Sequence, residues 1–271
     1  MGRRKVVIEQ YTYASIISES QSRVKHHNCD SDSARRVSSS NTKFTQTESF
    51  EQAVDFGVNG WDLGLEQYKI EDGLLVGGAT ELCPSLSGSI PHIQNHIMGF
   101  PEEMYYLADS REYNLPTLDI VVNLAYNGGV AGKNALEFGK SLVSFINDKA
   151  STRNIRVTGV FASKQDNNID AYHLVTLKDF DSALVINNIA FAFHPSFFRR
   201  LWFSIIEGKS YWADGYGRTI DDYYPAISEK INTKSSNEIL IFKTLNDINQ
   251  YSWEESDLER ITYNHYKSQL R

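Results

Sequence analysis

The chain has 271 residues, a hydrophobic share of 41% with 12% aromatics, and a net charge of −7. That composition supplies a closely packed core, and with only 6 prolines and 17 glycines it excludes a collagen-like or low-complexity chain. No apolar run approaches the roughly 20 residues that cross a bilayer, so a membrane-spanning class is excluded and a cytoplasmic setting is expected.

The charge is unevenly spread. Residues 1–43 hold eight Lys or Arg against four Asp or Glu, whereas the remainder holds 19 against 30. An acidic body repels nucleic acid, so any such contact falls on the basic N-terminal arm or a local patch. A solvated tail is the plainer expectation for that arm. The opening Met1–Ile8 is basic like a secretory leader, but Glu9 and Gln10 interrupt its apolar run, and no leader is expected. Gly2 suggests myristoylation only until Val6, which stands where Ser or Thr is needed. Cys29 and Cys83 have no spacing that points to a disulfide framework or a zinc knuckle, so reduced thiols are expected.

Residues 9–20 read as a short helix or as a strand running into one. Residues 21–43 are rich in Ser, Asp, Arg and His and nearly free of large apolar side chains. Such a stretch buries too little surface to offset its ordering entropy, which predicts a mobile linker. Ser49 and Gln52 fit a capping box for a helix from about Phe50 to Val58, with Gly57 and Gly60 near its end and Trp61 docking on it. A Gly-rich loop over 72–89 leads to a short helix at about 90–98, with Ile90, Ile93 and Ile97 on one face and Pro91 in its first turn.

The strongest block spans 118–162. Leu118–Ala125 is nearly continuously apolar and β-branched, as a buried strand should be. A helix follows with Ala135, Phe138, Leu142, Phe145 and Ile146 on one stripe, then a second strand at Ile155–Phe161. Strand, helix, strand over this length predicts a βαβ unit in a parallel sheet. Another strand is expected at 173–177. Beyond a segment at 184–193, a helix starts at His194-Pro195-Ser196 and runs to about Glu207. Its buried face is Phe197, Phe198, Leu201, Trp202, Ile205 and Ile206. A strand at 238–242 and a helix at 253–269, started by Ser252 with Glu255 or Ser256 with Glu259, complete the pattern.

Several groups of residues carry possible chemistry. The loop Asn127–Asn134 joins a buried strand to a helix, where the amides of Gly129 and Gly132 with the charge of Lys133 could hold a phosphate. It departs from a Walker A loop at Asn127 and Asn134, and a glycine-permitted turn is the plainer reading. Tyr211, Trp212, Tyr216 and Arg218 interleave aromatics with glycines in a candidate recognition loop, and Arg199 and Arg200 form a second candidate binding pair. Glu207, Asp214, Asp221 and Asp222 could bind Mg²⁺ if they converge, though nothing in their spacing requires it. His26, His27 and Cys29 offer metal ligands without a second cluster, and a solvated segment is expected there. His194 precedes the helix that carries Arg199 and Arg200, where capping that helix is its plain reading, and the arginine pair is a surface face or meets phosphate. No metal and no cofactor are expected.

Two resemblances follow from these stretches. The apolar strand ending at Asn123-Leu124-Ala125-Tyr126-Asn127 before a long helix resembles the adhesion site of von Willebrand factor A-type domains. Its carboxylate and hydroxyls are missing, which implies a degenerate, metal-free version. The segments 44–61, 84–104 and 192–207 together resemble a family of uncharacterised bacteriophage and prophage proteins, across about residues 44–220. That likeness implies a viral origin and no catalytic residue.

The sequence thus predicts an α/β fold with a central, largely parallel or mixed sheet and flanking helices. A helical N-terminal region with a flexible basic arm and linker (1–43) precedes a single α/β domain (44–271). The functional expectation is a non-enzymatic binding or assembly component with a protein partner, acting in the infected cell or the virion. The alternatives are a metal-dependent enzyme acting on nucleic acid or nucleotides, and a regulator that binds a host protein.

Overall fold

The computed structural model describes residues 4–61, 82–85, 90–91, 104–107, 115–125, 131–150, 152–165, 168–212, 218–220, 223–231, 238–242 and 259–262. Strand β1 (Lys5–Thr12) runs directly into helix α1 (Tyr13–Lys25). Thr12 makes the junction: its hydroxyl accepts from Ser15 N while Ser15 Oγ accepts from Thr12 N, so two orphan donors are satisfied at once.

The stretch expected to be an unstructured linker is helical and packed. It holds α2 (Asp32–Arg35) and α3 (Ser39–Thr45), started by Ser31 and Ser38, whose hydroxyls accept from Ala34 N and Asn41 N. Cys29, Ser31, Ala34 and Asn41 are buried. What orders it is hydrogen bonding rather than apolar area. The fully buried Arg200 donates from Nη1 to the Ala34 carbonyl at 2.8 Å and the Arg36 carbonyl at 3.4 Å. It also donates from Nε to Thr47 Oγ1 at 2.7 Å and from Nη2 to the Thr47 carbonyl at 2.9 Å. The basic arm is similarly engaged: Arg4 bonds Asp170 at 2.5 Å and the carbonyls of Gln165 and Ile169 at 2.8 and 3.0 Å.

Helix α4 (Phe50–Asn59) begins with Ser49 accepting from Gln52 N at 3.1 Å, while Gln52 reaches back to Glu48 N at 2.6 Å. Gly60 ends it at φ 95°, a conformation that a side chain would strain. Trp61 is buried edge-on to His194, with ring centroids 4.4 Å apart. A small antiparallel sheet has the order β2 (Leu82–Ser85), β4 (Met104–Leu107), β3 (Ile90–Pro91). Ile90 and Pro91, expected to open a helix, are therefore strand, and the rest of that expected helix lies outside the described residues.

The expected βαβ unit is present as β5 (Thr117–Asn123), α5 (Gly132–Ala150) and β6 (Asn154–Gln165), with β5 and β6 parallel. There follow β7 (Ile169–Lys178), α6 (Ile186–Ala192), a π-helix (Phe197–Trp202) and α7 (Phe203–Ile206). Next come β8 (Arg218–Thr219), α8 (Tyr224–Ile227), β9 (Glu238–Phe242) and β10 (Glu259–Thr262). Residues 259–262, expected within a helix, pair as strand with β9, and the remainder of that helix lies outside the described residues.

The main sheet runs β1-β7-β6-β5-β9-β10, with β8 pairing one end of β6. It is mixed: β1 is parallel to β7, β5 to β6 and β9, while β6–β7 and β9–β10 are antiparallel. The period-two alternation of the strands divides the core. Ile120, Val122, Val157, Phe161, Val175 and Leu240 face a layer of helices that includes α1, α4, α5, α6 and the π-helix. Val121, Val160, Tyr172, Leu174, Ile239 and Ile241 face Ile220, Tyr223, Tyr224, Ile227 and Ile231. The sheet is thus covered on both faces, as an α/β fold requires. Asp119 and Arg156 pair across β5 and β6 through two bonds of 2.5 and 2.8 Å, with Asp119 only 1% exposed. No described helix is long and apolar enough to cross a membrane.

Candidate functional site

Among the described residues, a dense polar grouping lies where β1 and β7 meet the turn that leaves α7. Glu9 and Tyr11 are two positions apart on β1 and so project from the same face of the strand. β7 pairs in register, with Glu9 opposite His173, so the histidine joins them under the helical layer. Beyond α7 the chain makes two tight turns, Lys209 N bonding to the Ile206 carbonyl and Trp212 N to the Lys209 carbonyl. These bring Lys209, Tyr211 and Trp212 onto the same corner.

The contacts converge on the Glu9 carboxylate. Tyr11 OH donates to Glu9 Oε2, Lys209 Nζ lies 3.3 Å from that oxygen, and the Tyr211 hydroxyl also bonds to Glu9. The Tyr211 hydroxyl in turn lies 2.9 Å from His173 Nε2. Lys209 Nζ stands 5.9 Å from the centre of the Tyr11 ring, within reach of its negative face. Beneath them Trp202, the last residue of the π-helix, stacks on Phe161 at 4.6 Å and meets His173 at 4.8 Å and Tyr11 edge-on at 5.2 Å.

Burial and charge set the protonation here. His173 is fully buried, and desolvation pulls its pKa down to about 4 despite the nearby Glu9 charge, so the ring is neutral at pH 7. Partial burial works to raise the Glu9 pKa, but the two phenols and Lys209 outweigh it and hold the carboxyl below its ordinary value. Tyr11 and Tyr211 are pushed up, first by burial and then by their bonds to Glu9, so both stay protonated. The corner is an ionised carboxylate, one ammonium, two phenols and a neutral imidazole, half open to solvent, with Glu9 28% and Lys209 37% exposed in their side chains.

Of the residues expected from sequence, Tyr211 and Trp212 belong to this corner, both half-buried. Tyr216 lies outside the described residues. Arg218 is described only by its backbone, paired in β8 with Lys164. Arg199 and Arg200 share the π-helix but part ways. Arg199 is half-buried with its guanidinium 4.5 Å from the centre of the Phe203 ring, whereas Arg200 is the internal strut already described. Gly129 lies outside the described residues and Lys133 is exposed on α5. At Gly132 a Cβ would come within 2.0 Å of the Phe44 carbonyl oxygen, so this glycine is required by the close approach of two backbones.

Glu207 accepts from Ser31 Oγ, which fixes it against α2, while Asp214, Asp221 and Asp222 lie outside the described residues. His26 and His27 are exposed and Cys29 is buried, so these three do not converge. Among the described residues no three His, Cys, Asp or Glu gather as metal ligands. His194 holds the turn before the π-helix: its Nδ1 accepts from Ser196 N at 3.2 Å and lies 2.7 Å from Ser196 Oγ.

Sequence reasoning missed Glu9, Tyr11, His173 and Lys209 as partners of Tyr211. A signal was present for three of them. Glu9 and Tyr11 alternate within a strand-like stretch, and His173 is a lone titratable group in the apolar strand HLVTL. That β1 lies beside β7 is a tertiary fact no local pattern carries.

A family model described as a domain of unknown function (DUF7192) matches residues 5–269. No curated protein and no solved structure matches the chain.

Proposed function

The chain belongs to the DUF7192 family, and from the geometry of its own residues we propose that it is a binding protein. Its working surface is centred on Tyr211 and Trp212, and its partner is a protein. One observation carries this reading: Tyr211 is moored to the sheet through Glu9 and His173, with Lys209 bonded to the same carboxylate. A tyrosine bonded to a strand carboxylate and a buried histidine starts from a fixed position, which lowers the ordering cost of binding. Tyrosine and tryptophan add large contact area at low rotamer entropy. The resemblance to phage and prophage proteins makes an infected cell or a virion the setting of this proposal.

The test pairs thermal melts with capture of the partner from infected cells. Tyr216→Ala and Arg218→Ala should leave the melting temperature nearly unchanged while weakening capture. Tyr211→Phe, which removes only the mooring hydroxyl, should weaken capture less than either. Undiminished capture by all three variants would defeat the proposal, as would strong destabilisation by Tyr216→Ala.

A further inference from the structure

The corner at Glu9 already contains a bound ammonium, and it is the chain's own. Lys209 Nζ stands 3.3 Å from Glu9 Oε2 and 5.9 Å from the centre of the Tyr11 ring. A carboxylate beside an aromatic face is the arrangement that receives alkylammonium groups, the carboxylate by charge and the ring by its quadrupole. Two phenols, Tyr11 and Tyr211, also bond to the carboxylate and hold it in place.

We infer that Glu9, Tyr11 and Tyr211 form a receptor site for a primary alkylammonium group, with Lys209 as a tethered occupant that an incoming ammonium replaces. This rests on reading the corner as part of the working surface, and it names what the partner presents there: the side chain of an exposed lysine.

Replacement is cheap for the protein. Lys209 follows a short turn, sits on a flexible four-carbon stem and is 37% exposed, so it can swing into water. A pair this open is favoured over its open state by no more than about fivefold, so the incoming group competes against little. The groups that receive the ammonium stay fixed: Glu9 and Tyr11 lie on one strand, and Tyr11 packs edge-on against the buried Trp202 at 5.2 Å. The site therefore persists when Lys209 leaves.

The experiment uses the purified full chain and needs no partner, so it can fail while partner capture succeeds, or the reverse. Calorimetric titrations with n-butylammonium chloride, against sodium chloride at equal ionic strength, compare wild type, Lys209→Met, and Lys209→Met combined with Glu9→Gln. Met keeps the apolar stem and removes the internal ammonium. The expected result is binding about two- to sixfold tighter to Lys209→Met than to wild type, and none to the double variant. Equal binding to the single and double variants, or no binding to Lys209→Met, overturns the inference. A second arm replaces butylammonium with Nα-acetyl-lysine methylamide. Tighter binding of that compound supports a lysine within a polypeptide as the source, and its failure where butylammonium binds overturns that assignment. Circular dichroism and the melting temperature establish that each variant is folded. If the double variant is not, Glu9→Gln alone must abolish the 15N shift response of Lys209 Nζ to added butylammonium, and a retained response also overturns the inference.

Discussion

Arg200 and Thr47, 153 positions apart, are joined twice: Nε donates to the threonine hydroxyl at 2.7 Å and Nη2 to its carbonyl at 2.9 Å. With the bonds to Ala34 and Arg36, one guanidinium fastens the whole polar segment to the π-helix. Guanidinium suits this task because its donors lie in a fixed plane and its charge is weakly hydrated for its size.

Arg200→Met should therefore release residues 31–47 while leaving the sheet folded. Its removal leaves buried carbonyls without a donor, and an unsatisfied group of that kind costs about 1–3 kcal/mol. Amide exchange should accelerate through α2 and α3 far more than in β5 or β6. Uniform acceleration across all elements would show that the strut supports the entire core instead.

Acid should destabilise the protein through its buried histidines. Burial lowers His173 to about 4 and His194 to about 3, against an ordinary value near 6.5. The unfolded chain takes up these protons below about 6.5 and the folded chain does not. The stability is thus fully present above that pH and is lost as pH falls towards about 4 and about 3. Linkage puts the loss at roughly 3 kcal/mol or more per histidine. Urea midpoints at pH 7.5, 5.5 and 4.5 should fall steeply in wild type and less in His173→Gln. Parallel slopes in the two proteins would remove His173 from the explanation.

The tautomer of His173 is also open to measurement. Tyr211 has one hydroxyl hydrogen, and the ionised Glu9 only accepts, so that hydrogen goes to Glu9. His173 then donates from Nε2 to the phenol oxygen, leaving Nδ1, which is buried near the Phe161 backbone but makes no well-directed hydrogen bond, as the bare nitrogen. Imidazole 15N shifts should report the Nε2–H form, and Tyr211→Phe should weaken that preference. An Nδ1–H ring would mean that Tyr211 donates to the histidine and that the Phe161 backbone receives the other proton.

Gly132→Ala should be poorly tolerated and Lys133→Ala neutral, although the two are adjacent. A methyl group at Gly132 meets the Phe44 carbonyl, and overpacking of this kind costs about 1–3 kcal/mol. Lys133 is exposed, where substitutions usually stay within about 0.5 kcal/mol. Chemical denaturation of both variants separates the cases, and equal midpoints would refute the close approach.

The parts of the fold legible in the sequence are those whose periodicity and caps agree. β5, α5 and β6 follow from an uninterrupted β-branched run, an apolar helical stripe and a second strand, and α4 from Ser49 and Gln52. The segment 21–43 was illegible because its order comes from hydrogen bonds to Arg200, and a guanidinium far along the chain leaves no mark on local composition. Residues 259–262 carry good helix-start signals nearby, but pairing with β9 overrides propensity there. At the candidate site the aromatic loop was visible from Tyr211 and Trp212. Its mooring was not, because Glu9 and His173 become neighbours only when strands far apart in sequence pair.

The pairing of β1 with β7 also has a consequence in time. Lys5 lies opposite Ile169, so during synthesis β1 leaves the ribosome about 160 residues before its partner exists. At ribosomal elongation rates of about 5–20 residues per second that interval is on the order of ten seconds, long compared with hairpin formation. Throughout it the segment Val6-Val7-Ile8 has no native strand to join. A nascent chain halted before β7 should therefore be bound by cotranslational chaperones at this segment, and release should coincide with the emergence of residue 178. The N-terminal strand would be the earliest synthesised part of the sheet and among the last to lock into it.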